Sequence, residues 1–238
     1  ADLLRKEQEA RATAEEANEL KLKFLAMISH ELRTPLTSIK GFTSTLLAGD
    51  VAWDVESQRE FVAIMDEEAD KLTDLVEQLL DVSRLQAGTL RINPRVQPFG
   101  EALNTALAQL YAITQDHVFQ LDVPDDLPLV NIDSQRIAQV LVNLVDNAVK
   151  YSPQGSQITL KTDADAATLT VSVTDQGEGI APEERGGVFE AFRQVDRQTG
   201  RQKGAGLGLA ICKGLVEAHG GDIWIDDASP SGTVVAFT

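Results

Sequence analysis

The chain has 238 residues, and its 21 basic and 37 acidic side chains give a formal net charge of −16. This length predicts one or two domains, and a hydrophobic fraction of 43% excludes a wholly disordered chain. The acidity argues against a nucleic-acid-binding protein, which needs a basic surface. The single cysteine, Cys212, excludes a disulfide framework and a cysteine-cluster metal site.

The sequence contains no apolar run long enough to span a membrane and no signal peptide. It begins at Ala1 rather than at Met. We therefore expect a segment of a longer protein, whose membrane-bound or sensory part could lie outside it.

The first half of the chain predicts two long helices. Residues 2–23 contain neither Gly nor Pro and are rich in strong helix formers, and an apolar stripe over residues 25–46 continues the same helix. A second stripe predicts a helix over residues 56–87, which Gly88 ends. Because two such helices cannot bury both stripes alone, we expect a homodimer in which two hairpins form a four-helix bundle.

The second half of the chain mixes helices and strands. Helices are predicted at residues 98–110, 135–151 with Ser134 as the N-cap, and 207–219. Short strands are predicted at residues 118–123, 129–132, 158–162, 168–174, 222–226 and 233–238. This order predicts an α+β two-layer sandwich that follows the helical hairpin.

A histidine on the first helix is a candidate nucleophile. His30 points about 200° away from Ile28 and Leu32 of the apolar stripe, so we expect it to face solvent. Glu31 can take a proton from an imidazole nitrogen as a general base. Pro35 lacks the amide that would bond the Glu31 carbonyl, which strains or kinks the helix one turn further on. Position alone is equally compatible with a surface histidine that has no role.

The surrounding residues favour the functional interpretation. Residues 24–37, with the string Ser-His-Glu-Leu-Arg-Thr-Pro-Leu at their centre, resemble the phosphoacceptor box of sensor histidine kinases. The resemblance implies that His30 accepts a phosphoryl group and that Glu31 is the base. It also implies that Thr34 helps to orient water when the partner response regulator is dephosphorylated.

A second set of polar residues shares one face of the predicted helix 135–151. The set consists of Asn143, Asn147, Lys150 and Tyr151. This face could simply be the wet side of the helix, but Asn is a poor helix former and its amide oxygen suits Mg²⁺. Lys150 adds a charge directed at phosphate, and Tyr151 an aromatic surface for a base.

Two glycine-rich segments follow. Asp175 ends a predicted strand and can accept a hydrogen bond from an adenine amino group, while Gly177 and Gly179 let the backbone approach a ligand. A plain turn would explain these two glycines equally well. A helix N-terminus preceded by glycines presents free amides and a favourable dipole to phosphates. The second segment contains Gly204, Gly206, Leu207 and Gly208.

In this order, the segments resemble the N, G1, F and G2 boxes of the histidine-kinase ATP-binding domain, with Phe-Glu-Ala-Phe at residues 189–192 as the F box. That domain shares its fold with gyrase, heat-shock-chaperone and mismatch-repair ATPases. The resemblance implies ATP and Mg²⁺ as cofactors, with Asn147 and Asn143 as metal ligands and Asp175 as the adenine reader. It further implies that residues 180–206 form a mobile lid.

The lid segment departs from the family pattern at one position. Gln194 stands where many members have Arg, so Arg193 or Arg197 is the candidate phosphate contact. Between residues 185 and 203, five basic side chains stand against two acidic ones. Such a run alone would be compatible with a solvated loop, but the flanking glycines favour an anion site.

The resemblance covers about residue 20 to the end and implies the catalytic core of a sensor histidine kinase. The predicted divisions are a signalling linker helix (1–23), a dimerisation and phosphotransfer domain (24–90) and a catalytic ATP-binding domain (91–238). The implied partners are a second copy, a response regulator receiver domain and an upstream sensor domain, with this portion in the cytoplasm and no nucleic acid bound. The alternatives are a kinase-weak or phosphatase-biased dimeric scaffold and a gyrase-like ATPase, against which the His30 helix argues.

Two other residues are predicted to have structural roles alone. His219 lies in the last turn of the predicted helix 207–219, where a cation would favour the helix dipole. Cys212 lies inside the same helix and is expected to be a small buried apolar residue.

Overall fold

The computed structural model describes residues 2–49, 51–124, 126–165, 167–191, 206–226 and 232–238. The chain forms two compact units, Ala1–Leu80 and Asp81–Thr238. None of the helices in the described ranges combines the length and hydropathy needed to cross a membrane. The predicted fold class, a helical hairpin followed by an α+β two-layer domain, is confirmed.

The N-terminal unit is a helical hairpin. Helix α1 spans Asp2–Leu47 as one uninterrupted helix that contains Pro35, and helix α2 spans Val55–Gln86. The rings of Phe42 and Phe61 lie 5.3 Å apart between their centroids. The two helices predicted from the apolar stripes are therefore confirmed, and their side chains meet near the turn.

The turn of the hairpin is fixed by one tryptophan and one helix cap. The Trp53 ring lies edge-on to Phe61 at 5.0 Å, and its Nε1 donates a hydrogen bond to the carbonyl of Thr45 at 3.3 Å. The Asp54 carboxylate accepts hydrogen bonds from the backbone N–H and the hydroxyl of Ser57, at 2.8 and 2.9 Å. These bonds lower the pKa of Asp54, because they favour its charged form.

The C-terminal unit is built on two sheets. Strands β1 (Arg95–Pro98) and β3 (Leu129–Ile132) form an antiparallel pair. The larger sheet contains β2 (Val118–Asp122), β4 (Gln157–Ala164), β5 (Leu169–Thr174), β6 (Ile223–Asp226) and β7 (Val234–Phe237). Its order is β2-β4-β5-β7-β6, in which β2 and β4 are parallel and the other neighbours antiparallel.

Helices complete the second layer. They are α3 (Gly100–Ile113), α4 (Ser134–Tyr151), the short α5 (Pro182–Arg185) and α6 (Gly208–Ala218). Helix α4 lies between α3 and α6 and contacts β4 and β5. The largest fully buried side chains include Phe99, Leu110, Leu141, Leu144, Ile158, Leu160, Leu207, Ile211 and Leu215. Each contributes about 1.5–3 kcal/mol by leaving water, so this core stabilises the helix layer on the sheet.

The end of α2 belongs to the C-terminal unit. The Asp81 carboxylate is only 4% exposed, and it accepts hydrogen bonds from Arg136 Nη1 at 3.0 Å and Gln139 Nε2 at 2.9 Å. The methyl groups of Leu85 cover Gly214, where a Cβ would lie 2.1 Å from Leu85 Cδ2. These contacts explain why the compact units divide at residue 80, ahead of the domain division predicted after residue 90.

Two predicted helix starts are wrong. The N-cap of α4 is Asp133 rather than Ser134, because the Asp133 Oδ1 accepts the N–H of Arg136 at 3.3 Å. Helix α3 starts at Gly100 rather than at Pro98, because Pro98 ends β1 opposite Leu129.

The expectation that His219 acts as a helix-end cation is also wrong. Its Nε2 accepts the backbone N–H of Asp133 at 3.0 Å, and its Nδ1 lies 2.7 Å from the carbonyl oxygen of Leu215. A carbonyl only accepts, so Nδ1 carries the proton and the ring is neutral.

Candidate active site

The candidate nucleophile lies on the open surface of α1. The His30 side chain is 76% exposed, and its Nδ1 lies 3.6 Å from Glu31 Oε1. One turn further, the Thr34 hydroxyl donates a hydrogen bond to the His30 carbonyl at 3.3 Å. The expected solvent exposure of His30 is confirmed. The structure brings the three predicted residues together on one surface of one helix.

The second candidate site forms where α4 ends and α6 begins. A Cβ built on Gly208 would lie 3.6 Å from Asn147 Nδ2 and 3.9 Å from Asn143 Cγ. The structure therefore places both asparagine amides against the first turn of α6. The N-terminal amides of a helix are unsatisfied within the helix, so this corner suits a ligand that carries negative charge.

Leu207 and Gly206 lead into this helix. Leu207 is the N-cap residue of α6 and is 1% exposed, so its side chain belongs to the core while its backbone borders the site. Gly206 has a φ of +65°. The predicted residues Gly204, Arg193 and Arg197 lie outside the described residues.

Asp175 lies at the end of β5 and is 6% exposed. Its Oδ1 accepts hydrogen bonds from the N–H groups of Gly177, at 2.7 Å, and Thr233, at 3.0 Å. These bonds hold the carboxylate in a fixed orientation at the end of β5.

The glycines around Asp175 allow close backbone contacts. A Cβ on Gly177 would lie 2.4 Å from the carbonyl oxygen of Tyr151, so only glycine fits against the end of α4. Gly232 has a φ of +91°, and a Cβ there would lie 2.0 Å from the Asp175 carbonyl oxygen. A Cβ on Gly179 would in turn lie 3.1 Å from the Gly232 carbonyl oxygen. The loop after β5 and the start of β7 are thus one packed assembly.

Lys150 and Tyr151 occupy the last turn of α4. Tyr151 is 49% exposed. Lys150 forms an ion pair with Asp146, one turn earlier. We did not predict this partner from the sequence, although the i,i+4 spacing of opposite charges is a signal that could have revealed it.

The asparagine pair fits the Mg²⁺ that the resemblance implies. The Nδ2 atom of Asn143 is buried and has no hydrogen-bond partner among the residues that the structure describes. This nitrogen is a donor and suits a phosphate oxygen, whereas the Oδ1 atoms of the pair are the atoms that suit a cation. Burial raises the pKa of the neighbouring Cys212 thiol to about 12. No group of three or more His, Cys, Asp or Glu residues in the described part could hold a metal. A cation at this corner would take the amide oxygens of Asn147 and Asn143 together with phosphate oxygens, which are ligands that suit Mg²⁺.

Two family profiles match the two parts of the chain. The His Kinase A (phospho-acceptor) domain matches residues 20–88. The histidine kinase-, DNA gyrase B- and HSP90-like ATPase matches residues 132–238. The chain belongs to the sensor histidine kinases. It is the catalytic core of such a protein. The domain matched at residues 132–238 uses ATP.

Individual histidine kinases are similar to this chain over nearly its whole length. The sensor protein KdpD of Clostridium acetobutylicum is 33% identical and covers 99% of the chain, which spans 26% of that protein. The sensor histidine kinase WalK of Bacillus subtilis is 35% identical and covers 94% of the chain, which spans 37% of that protein. The chain therefore spans well under half the length of these two curated relatives.

A solved structure supports the same assignment. Full-length ShkA in complex with AMPPNP is 30% identical, with a TM-score of 0.64. The similarity covers 90% of this chain and 44% of ShkA.

Proposed function

We propose that this histidine kinase core phosphorylates His30 with ATP and passes the phosphoryl group to an aspartate on a response regulator. The observation that carries the proposal is the exposed imidazole of His30 beside Glu31, inside the matched phosphoacceptor domain. The same chain supplies the matched ATPase domain.

The geometry at His30 supports different roles for its two ring nitrogens. Nδ1 is the ring nitrogen that lies near the Glu31 carboxylate, at 3.6 Å. With the ring proton on Nδ1, the lone pair is on Nε2. The Nε2 lone pair attacks the γ-phosphorus of ATP, the bond from that phosphorus to the bridging oxygen breaks, and ADP leaves. Glu31 takes the Nδ1 proton as the ring becomes positively charged. Positioning and electrostatics supply most of the rate in such transfers.

The nucleotide roles follow from the corner between α4 and α6. Asn147, assisted by Asn143, would hold Mg²⁺, which neutralises phosphate charge when bound. The first amides of α6 face the phosphates, and Asp175 accepts a hydrogen bond from the adenine amino group. Lys150 and Tyr151 border the site, and Arg193 or Arg197 is the proposed phosphate contact. The AMPPNP complex of ShkA supports nucleotide binding by this chain, since AMPPNP is an ATP analogue.

The helical hairpin supports the proposed homodimer. Large apolar side chains of both helices remain exposed in the single chain, among them Leu22, Leu25, Leu36, Val55, Val62, Val76 and Leu80. A second hairpin would cover such residues in a four-helix bundle. The receiver domain of the response regulator would then dock around His30.

The proposed organisation assigns each range a task. Residues 1–23 link an upstream sensor to the core, residues 24–90 dimerise and carry the phosphoryl group, and residues 91–238 bind ATP, with 180–206 as the lid. We place this portion in the cytoplasm, where ATP is available.

Dephosphorylation of the response regulator is a second proposed activity. Thr34 is exposed on the His30 surface, one helical turn away. Its hydroxyl would orient the water that attacks the phosphorylated aspartate. A phosphatase-biased chain would retain this activity even where kinase activity is weak.

A labelling experiment tests the kinase proposal. The full chain is incubated with Mg²⁺ and ATP labelled at the γ-phosphate, and acid-labile phosphoprotein is measured. Wild type should incorporate label and His30→Gln should incorporate none, while both bind ATP equally in calorimetry. Label that persists in His30→Gln would refute His30 as the acceptor. Continuous phosphate release without phosphoprotein would indicate a gyrase-like ATPase instead.

A further inference from the structure

The two helices that form the nucleotide corner run antiparallel, and they touch along their length. At one end, Gly208 of α6 lies against Asn147 of α4. Near the middle, the Cys212 thiol points at the carbonyl oxygen of Val140, with 3.8 Å between Sγ and O. The relative position of the two helices therefore determines how the α6 amides face the asparagine pair.

At the far end, a side chain connects the same two helices. His219 Nε2 accepts the Asp133 N–H at 3.0 Å, across 86 positions in the sequence. His219 Nδ1, at 2.7 Å from the carbonyl oxygen of Leu215, carries the ring proton. Both nitrogens are thus engaged, one with its own helix and one with the start of α4.

The donor end of this connection, Asp133, is itself anchored. Asp133 Oδ1 accepts the N–H of Arg136 at 3.3 Å, and Oδ2 accepts the N–H of Asn93 at 2.9 Å. The Asp133 carbonyl accepts the N–H of Ile137 at 3.0 Å. Because three other polar groups of Asp133 are held at once, its N–H is a fixed point for His219.

The side chain of His219 is not needed to end α6. Gly220 has a φ of +83°, and the N–H of Gly221 donates to the carbonyl of Val216 at 3.1 Å. These backbone bonds satisfy the helix end in the usual glycine motif. The imidazole contact with Asp133 therefore serves the packing of α6 on α4.

We propose that His219 is a positioning residue for the nucleotide site. Its neutral imidazole holds the end of α6 on the N-cap of α4, so that the first turn of α6 keeps its position against Asn143 and Asn147. Eleven residues at 1.5 Å each separate His219 from Gly208, about 16 Å along a stiff helix. A shift at one end therefore moves the amides at the other. This inference rests on the proposed ATP binding at that corner.

Three substitutions separate the two bonds of the imidazole. His219→Gln keeps an oxygen that can reach the Asp133 N–H, whereas His219→Asn is too short and retains only a donor for the Leu215 carbonyl. His219→Leu removes both bonds at similar volume. Lys213→Ala, on the exposed side of α6, is the matched control.

The test uses the full chain with Mg²⁺ and ATP, well below the melting temperature. We expect His219→Asn and His219→Leu to raise both KM and Kd for ATP by about three- to tenfold, with kcat at saturating ATP within about twofold. His219→Gln should stay near wild type, as should Lys213→Ala.

An ATP Kd equal to wild type in His219→Asn, with only a lower Tm, would overturn the inference and leave a purely stabilising role. Equal loss of affinity in His219→Gln and His219→Asn would also overturn it, because the Asp133 contact would then not matter. If His219→Leu does not fold, the Gln and Asn pair still decides. A wild-type chain that binds no ATP would refute the proposed function, a result distinct from the other two.

Discussion

The two units build their candidate sites in opposite ways. In the helical unit, His30, Glu31 and Thr34 lie within five consecutive positions of one helix, and their arrangement needs no tertiary contact. In the C-terminal unit, the site combines α4, the end of β5, the start of α6 and the Gly232–Thr233 pair. The phosphoacceptor chemistry therefore depends on one helix surface, whereas nucleotide binding depends on the integrity of a whole packed domain.

The largest expected effect tests that dependence at Gly232. Gly232→Ala would place a Cβ 2.0 Å from the Asp175 carbonyl oxygen at a φ of +91°. The left-handed conformation and the overlap together should cost roughly 3–4 kcal/mol. Chemical denaturation should show a weakened C-terminal unit, and calorimetry should show lost ATP binding, while the hairpin helices persist in circular dichroism.

The matched control is Gly155→Ala. Gly155 has a φ of +81°, but a Cβ there meets nothing within 4 Å. It should cost only about 1–2 kcal/mol and leave ATP binding intact. Equal effects of the two substitutions would show that the contact with Asp175 is unimportant.

The next effect concerns the helical unit alone. Glu31→Gln keeps the side-chain size but cannot accept the proton from His30 Nδ1. Autophosphorylation should slow by about a hundredfold, with the ATP Kd unchanged. Quench-flow labelling at saturating ATP measures the rate. Glu60→Gln, an exposed carboxylate on α2, should leave the rate unchanged. An unaltered rate in Glu31→Gln would exclude Glu31 as the base.

The smallest expected effect concerns Asp74 on α2. Partial burial, together with Glu77 and Asp70, raises the pKa of Asp74 above its usual value. When folding raises the pKa of a carboxyl group, the folded unit becomes less stable as pH rises through that pKa. Asp74→Asn should therefore stabilise the helical unit near pH 7, by a few tenths of a kcal/mol. Thermal melts at pH 7 and pH 3 should show this gain disappearing in acid.

Asp54 supplies the opposite sign for comparison. Its pKa is lowered by the hydrogen bonds from Ser57. It therefore contributes stability above the pKa of the unfolded chain, and this contribution is lost as pH falls. Asp54→Asn should destabilise the unit at neutral pH and have less effect in acid. The same direction of change at both aspartates would contradict these assignments.

Local patterns made much of the molecule predictable. The apolar periodicities of α1 and α2, the exposure of His30 and the burial of Cys212 all follow from spacing or composition within one element. The alternation of helix and strand also predicted the α+β class. The functional roles at α4 and α6 came from a resemblance, and the structure brings Asn143 and Asn147 next to Gly208.

The features that the sequence did not predict depend on contacts between residues that are far apart in the chain. Ser134 and Asp133 are both good caps, and only the backbone position in the fold selects Asp133. His219 was expected to be a cation because its bond to Asp133, 86 positions away, leaves no periodic signal. The partner of Asp81 was likewise invisible, because nothing in the spacing indicates that a carboxylate at the end of α2 meets Arg136.

The unbroken length of α1 has a mechanical consequence. The helix contains 46 residues, and His30 lies 28 positions from its first residue, about 42 Å along the axis. Pro35, where the helix lacks one backbone donor, lies beyond His30. The stretch from residue 2 to residue 30 can therefore transmit a motion by rotating about its axis, sliding along it or tilting. An input at the N-terminal end of α1 would then reach the imidazole as a change in the direction in which His30 faces.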